Sequence, residues 1–386
     1  MPVIGISGSY GGLNVGDEAI LASAIAQLRA EVPGVEIVCF SRNAEYTRAS
    51  HDVDRALNAR TAMRAQILPE VARLDLLLLG GGGILYDTEA QAYLREVVLA
   101  QELGVPTFTF AIGIGPLQGR EERRAVRDGL NRMAAITVRE KTAKRLAEDI
   151  GVTVPVEVTA DPALLLRPEP FEDAMLAREG VPLDRRLVAL SVREKGAAAP
   201  DLSEAAYHDI VAEAADYMVH RFGADAVFVP MERADRREAH AVISRMTAPE
   251  RAHVLKGEYR PGQVLGLMPR FSMAVGMRLH FLIFAAVAGV PLMALPYAAK
   301  VTDFLRSAGV EGMPVEEART GAFLAALDRQ WDDRGAHLAM VAQRLPELKA
   351  LARRTVPLAA AVIGQGAGPG PAGRTGEDLA GPQVAY

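Results

Sequence analysis

VIGISGSYGGLNVGDEAILASAIAQLR, residues 3–29, reads as a buried strand, a glycine turn and a helix in immediate succession. Val3–Gly8 is short, β-branched and uncharged. Gly8–Glu18 is studded with glycines. From Glu18 to Arg29 the apolar residues Ile20, Leu21, Ala24, Ile25 and Leu28 fall on one helical face. A strand that feeds a helix in this way begins a βαβ unit.

The rhythm continues outward. Val35–Phe40, Leu74–Leu79, Thr107–Ile112 and Ala135–Val138 read as further strands, with helical patterns between them. Such alternation implies a parallel sheet covered by helices on both faces. Residues Arg167–Arg186 are rich in proline and charge and read as a connection between units. The alternation then restarts with Leu187–Val192, Ala226–Val229, Ser272–Val275 and Val290–Leu295. The expected fold class is α/β: two Rossmann-like, doubly wound domains facing a cleft. The expected boundaries are 1–170 and 171–360, with a disordered Gly/Pro-rich tail over 364–386. A chain of 386 residues has room for two domains of ordinary size.

The formal net charge of −5 argues against a nucleic-acid binder and leaves a small anionic substrate open. The single cysteine, Cys39, sits in an apolar run and is expected to pack in a strand. No Cys/His cluster suggests a metal. The amino terminus lacks a positively charged region followed by a long apolar core, so it is not read as a signal peptide. Phe281–Pro296 is apolar but shorter than the roughly 20 residues a spanning helix needs, and Gly289-Val-Pro291 interrupts it. A soluble, cytoplasmic protein is expected.

In open α/β sheets, ligands bind beyond the carboxyl ends of strands, so residues there carry the most weight. The first turn has neither dinucleotide-binding nor P-loop spacing. Asp17 and Glu18 open the helix. They suit sugar hydroxyls, an arginine partner or proton acceptance, and a capping role stays open. The tetraglycine Gly80–Gly83 ends a leucine strand and predicts close approach of a ligand or of neighbouring backbone. Asp87 follows as a partner for a sugar hydroxyl or as a cap. Asp161, after another short strand-like run, Val156–Thr159, and before Pro162, reads as a turn former.

In the second half, two strand ends carry cations. One leads to Arg193. The other leads to Gly276-Met-Arg278-Leu-His280, where a glycine turn, an arginine and a histidine precede an apolar helix. Helix N-termini bind anions, and arginine adds bidentate recognition. The spacing of Arg278 and His280 predicts that Arg278 lies before the regular helix. Tyr297 and Lys300 follow the next strand. The other histidines, His51 among them, read as surface or packing residues.

The ordered set Gly11-Gly-Leu-Asn14-Val-Gly16-Asp17-Glu18, Gly80–Gly83, Gly113–Pro116, Arg139-Glu140, Asp161-Pro162, Ser191-Val-Arg193 and Met277-Arg-Leu-His280 resembles the polysaccharide pyruvyl transferase family. The resemblance spans about residues 3–310. It implies a GT-B-like fold and transfer of pyruvate from phosphoenolpyruvate, as a ketal, to a sugar of a cell-surface or exported glycan, often lipid-linked. It makes Arg193, Arg278 and His280 the donor-handling catalytic candidates; Asp17 joins them as a carboxylate that takes a hydroxyl proton, a role Asp87 shares as the alternative. The substrate-binding candidates are Gly11, Asn14, Gly16, Glu18, Gly81, Gly82, Gly83, Asp87, Gly276, Tyr297 and Lys300. The first domain is then the acceptor side and the second the phosphoenolpyruvate side. No metal or cofactor is expected, and membrane contact is at most peripheral, at the inner face.

Two positions depart from patterns associated with close relatives. Ala111-Ile112 stands where several carry Gly-Gln, and Tyr297-Ala-Ala-Lys300 where several carry Tyr-Asp-Pro-Lys. Two other readings remain: a glycosyltransferase using a nucleotide sugar, and a non-catalytic glycan- or anion-binding protein.

Overall fold

The computed structural model describes residues 1–195, 202–295, 298–313 and 320–365. Thirteen strands are present among them: β1 (Val3–Ser7), β2 (Glu36–Ser41), β3 (Arg55–Asn58), β4 (Leu76–Leu79), β5 (Gly82–Leu85), β6 (Thr107–Ile114), β7 (Ala135–Val138), β8 (Val156–Val158), β9 (Arg186–Ser191), β10 (Ala224–Phe228), β11 (Ala252–Val254), β12 (Phe271–Gly276) and β13 (Leu292–Ala294). They form two sheets. The first has eight strands in the order β3-β2-β1-β4-β6-β7-β8, with β5 pairing to β6, and the second has the order β11-β10-β9-β12-β13. Every strand pair is parallel. Helices cover both faces, which is why Leu76–Leu79 and Thr107–Ile114 are buried without alternation.

Each sheet reverses its winding beside its first strand, β1 in one and β9 in the other. The carboxyl ends of these central strands carry the glycine turn, the tetraglycine, Arg193 and the Gly276–His280 segment. The α/β class expected from the sequence is the fold observed.

The helix Val15–Glu31 lies between the two sheets. It touches the 3-10 turn Pro162–Leu165 and the helices Pro261–Leu267, Leu279–Ala288 and Thr355–Gln365. One apolar core joins Ile20, Leu21 and Ile25 to Phe281, Leu282, Val356 and Ala359. Burial on several sides explains why Ala19 and Ser23 are covered along with the expected face.

Three short strands, β3, β5 and β11, go beyond the sequence reading. The tetraglycine is also not one turn. Gly80 and Gly81 break the chain, and Gly82 and Gly83 begin β5, paired to Ile112 and Gly113 of β6. A Cβ on Gly113 would sit 3.3 Å from the Gly83 Cα, so bare backbones meet here.

After the helix Arg334–Arg353 the chain crosses back to the first sheet. Thr355 Oγ1 donates to Thr159 Oγ1 (3.2 Å), and Arg354 pairs with Glu157. The helix Thr355–Gln365 therefore belongs by contact to the first unit, a correction to a second unit drawn as 171–360. Gly364 and Gln365 still belong to this helix. The rest of the expected tail lies outside the described residues. Among the described residues no helix is long and apolar enough to cross a membrane.

Among the described residues, one non-glycine residue inside a strand takes a left-handed conformation. Ala111 of β6 has φ of +49°. It sits where the register against β7 shifts between Thr109 and Ile112, and its N–H donates to Thr137 Oγ1 (2.9 Å). A left-handed bulge residue favours glycine. Ala111→Gly is expected to raise stability by about 1 kcal/mol, read by denaturant unfolding. An unchanged or lower midpoint would remove the strain assigned to this residue.

Candidate active site

The site is built on the start of the helix Val15–Glu31. Asn14 is its N-cap, and Asn14 Oδ1 accepts from Gly16 N (3.0 Å) and Asp17 N (3.3 Å). The same side chain reaches into the second unit, where Nδ2 donates to Glu232 Oε2 (3.1 Å). Val15 N donates to the Met231 carbonyl (2.8 Å). The first helix is thus stitched to the loop that follows β10.

That loop holds Arg278. Asp235 accepts from Met231 N (3.0 Å) and Glu232 N (3.2 Å), which fixes its carboxylate. Arg278 Nε donates to Asp235 Oδ2 (3.1 Å), and its Nη2 donates to both Asp235 and Glu232. Burial opposes the charge on Arg278, yet the two carboxylates outweigh it and hold the guanidinium protonated more firmly than usual. Burial raises the Glu232 carboxyl, but Arg278, Arg193 and Asn14 together hold it below its ordinary value. Arg193, just past β9, pairs with Glu194 (3.1 Å) and is half-buried. Arg278 occupies the N-cap of the helix Leu279–Ala288 in extended backbone, ahead of the first helical turn as its spacing predicts.

His280, one residue into that helix, turns the other way. A Cβ on Gly16 would lie 1.8 Å from His280 Nδ1, so the imidazole rests on the bare Gly16 backbone. Its Nε2 is 3.4 Å from Asp161 Oδ2 and makes no aligned hydrogen bond. Asp161 Oδ1 accepts from Ala163 N (2.9 Å) and caps the 3-10 turn, while Oδ2 accepts from Arg139 Nη1 (2.8 Å). Burial alone would raise the Asp161 carboxyl, but His280, Arg139 and the Ala163 N–H outweigh it and hold it well below the usual carboxylate range. Arg139, just past β7, also donates to Glu140 Oε2 (2.8 Å).

Asp17 and Lys300 complete this chamber. A Cβ on Gly82 would be 3.1 Å from Asp17 Oδ1. One on Gly83 would be 3.5 Å from Arg139 Nη2 and 3.8 Å from Lys300 Nζ. Asp17 is half-buried. Burial pushes its carboxyl above the ordinary value, opposed by the charges of His280 and Lys300. A carboxylate and an imidazole thus face each other from opposite units, with a lysine beside them.

The sequence candidates fall into three groups. Asp17, Gly82, Gly83, His280 and Lys300 share the chamber. Asn14, Arg193 and Arg278 gather around Glu232 and Asp235, with Gly16 joining the two clusters. The two arginines and His280 therefore do not aim at one point. Arg278 and His280 leave the same helix start toward opposite partners. The remaining candidates serve packing. Glu18 is 1% exposed; it accepts from Gly11 N (2.8 Å) and pairs with His51 (2.8 Å), so it braces the turn and lies outside the chamber of Asp17 and His280. Asp87 accepts from Gln118 N (2.7 Å) and Gly119 N (3.1 Å), so it fixes the loop after β6. Gly11 makes room for Ser41, Gly81 for Ile20, and Gly276 for Phe281 and Ser191. Tyr297 lies outside the described residues.

Five residues gain weight beyond the sequence reading. Asp161 does fix a turn, but it also faces His280. Arg139 and Glu140 carried weight only as part of a motif. Glu232 and Asp235 sit in a charged segment, and their role depends on a partner 43 or more residues away.

The family model described as polysaccharide pyruvyl transferase matches residues 14–298. No curated protein matches the chain. Solved structures share its fold at low identity. The S. aureus MnaA co-structure with UDP has a TM-score of 0.66 at 10% identity, covering 92% of this chain and 95% of that one. UDP-GlcNAc 2-epimerase from Neisseria meningitidis bound to UDP-GlcNAc has a TM-score of 0.60 at 12% identity, covering 94% and 100%. Glycosyltransferase VinC in complex with dTDP has a TM-score of 0.55 at 15% identity, covering 95% and 100%. The likeness establishes a GT-B-like fold.

Gly16→Ala would drive a methyl into the imidazole. It is expected to cost about 1–3 kcal/mol by overpacking. Gly12→Ala, whose nearest neighbour is the Arg42 side chain at 3.3 Å, is expected to stay within about 0.5 kcal/mol. Denaturant unfolding of both variants checks this; equal effects would mean that the Gly16–His280 contact is not tight.

Proposed function

The chain belongs to the polysaccharide pyruvyl transferase family, and from that premise we propose that it moves pyruvate from phosphoenolpyruvate onto two hydroxyls of a glycan sugar, forming a ketal and releasing phosphate. The observation that supports this most directly is the chamber in which His280, from the second unit, faces Asp17, from the first, beside Lys300. It places an acid and a base on opposite sides of a space rimmed by cations.

The donor carries a carboxylate and a phosphate. Asp235 takes Nε and Nη2 of Arg278, and Glu232 shares Nη2. We assign the anion site to Arg278, Arg193 and the N-terminus of the helix Leu279–Ala288, with Lys300 approaching from the His280 side. His280 gives a proton to the methylene carbon, which becomes a methyl group. The adjacent carbon then accepts one sugar oxygen, whose proton passes to Asp17. The bond to phosphate breaks, the second hydroxyl closes the ring, and its proton leaves with the phosphate. Asp161, clamped by Arg139, holds the imidazole in place. The chemistry so written draws on no metal or organic cofactor. We assign the reacting ring of the acceptor to the first unit and donor binding to the second. We place the enzyme in the cytoplasm, at the inner face of the membrane where its acceptor is lipid-linked.

The shared fold keeps a nucleotide-sugar glycosyltransferase in view, since structures named with UDP and dTDP have it. Acceptor-dependent phosphate release from phosphoenolpyruvate separates the two readings. His280→Ala and Arg278→Ala should each cut that release about 10²-fold or more. Asp17 must be ionised to act as a base, and burial raises its carboxyl. The acid limb of the rate profile should therefore lie above the usual carboxylate value of about 4, and it should vanish in Asp17→Asn. Wild-type turnover in a folded Arg278→Ala/His280→Ala protein, or sugar transfer from a nucleotide sugar with phosphoenolpyruvate inert, would overturn the proposal.

A further inference from the structure

A cavity of about 220 Å³ lies between the two units, apart from the chamber of Asp17 and His280. It opens at the carboxyl ends of β10 and β11. Tyr46 and Leu13 close it from the first unit, and Met231, Leu255 and Tyr259 line it from the second. Val15 and Glu232 also belong to its wall. These are the residues that stitch the seam, through Val15 N to the Met231 carbonyl and Glu232 to Asn14 and Arg278. The cavity therefore adjoins the proposed donor site, with the Asn14–Glu232 bridge as the partition.

Size and charge narrow its occupant. Ligand sites for drug-sized molecules span about 300–1,000 Å³, so this space suits a single ring and is small for a nucleoside diphosphate. Its charges are largely balanced. Arg233 pairs with Glu258, Arg260 with Glu169, Glu18 with His51, and Glu232 with Arg278. Arg236 donates to the Gly257 carbonyl (3.3 Å). Such a rim offers fixed donors and acceptors without a strong net field. Behind it the floor is apolar. An uncharged pyranose, with apolar C–H faces and a belt of hydroxyls, matches both features.

We propose that this cavity is an acceptor subsite for the sugar ring next to the one that is pyruvylated, so that the acceptor is at least a disaccharide. The inference rests on the pyruvyl transferase reading of the neighbouring chamber. A ring held here does not react. Its binding positions the neighbouring ring's hydroxyls beside Asp17 and His280, and remote binding of this kind raises turnover as well as affinity.

The test compares disaccharide and monosaccharide acceptors that share the same reacting sugar. Wild type should favour the disaccharide at least tenfold in kcat/KM. Ser50→Trp, which fills the cavity from its rim, and Tyr46→Ala, which removes one wall, should each bring that ratio close to one. Direct titration of the disaccharide, without phosphoenolpyruvate, should show binding that both variants weaken at least tenfold. A wild-type ratio near one, or a ratio that both folded variants leave unchanged, would overturn the subsite while leaving the reaction intact. Disaccharide binding lost in the variants, without any phosphate release from phosphoenolpyruvate, would keep the subsite and refute the donor reading. Tight binding of UDP that Ser50→Trp abolishes would mark a nucleotide site and overturn the proposal.

Discussion

The imidazole of His280 lies where a side chain on residue 16 would be, and the site is arranged around that contact. Glycine alone lets the backbone of one unit press against the ring of the other. Its neighbours act in concert. Asn14 bonds Glu232, and Val15 bonds Met231, so three residues within one turn fix the first helix against the second unit. The helix cannot adjust by tilting, because its apolar residues share one core with both units. Protein interiors pack too densely to absorb such a shift.

The two charge clusters beside this contact follow one plan. In each, a buried guanidinium sits between two carboxylates: Arg139 between Glu140 and Asp161, and Arg278 between Glu232 and Asp235. Each core then carries one excess negative charge. A further basic side chain approaches each from outside, Lys300 beside the His280 imidazole in one cluster and Arg193 in the other. Buried ion pairs add little net stability over well-packed apolar groups. Their value here is directional. They hold guanidiniums charged and fixed in orientation.

The fold was legible in the sequence wherever the physics is local. Strand runs, glycine turns and the proline-rich connection marked two parallel units, and Arg278 fell ahead of its helix as the spacing required. Strands β3, β5 and β11 are three or four residues long and lie among polar or glycine residues, so no periodicity announced them. The site was legible by residue type and not by partner. Glu18 and Asp17 are neighbours in sequence and chemically alike, yet one turns inward to Gly11 and His51 while the other faces the chamber. Helical geometry alone, about 100° per residue, separates their roles. Glu232 and Asp235 stayed hidden because their meaning comes from Arg278, which reaches them only through the folding of the second sheet.

The partners of Arg278 differ in how firmly they are held. The Asp235 side chain is 2% exposed and that of Glu232 is 32% exposed. Asp235 is also tied to two backbone N–H groups of its own loop. Removing a buried partner leaves an uncompensated charge and costs about 3–5 kcal/mol. A half-exposed carboxylate that swings away is rehydrated and loses far less. Asp235 is therefore the fixed anchor, and Glu232 is the partner an incoming anion can displace. Glu232 also bonds Asn14 and lines the neighbouring cavity. Displacing it would loosen the partition between the two spaces at the moment the guanidinium engages its ligand. One carboxylate then couples Arg278, the seam and the cavity, and the coupling follows from its being the less buried of two otherwise similar acids.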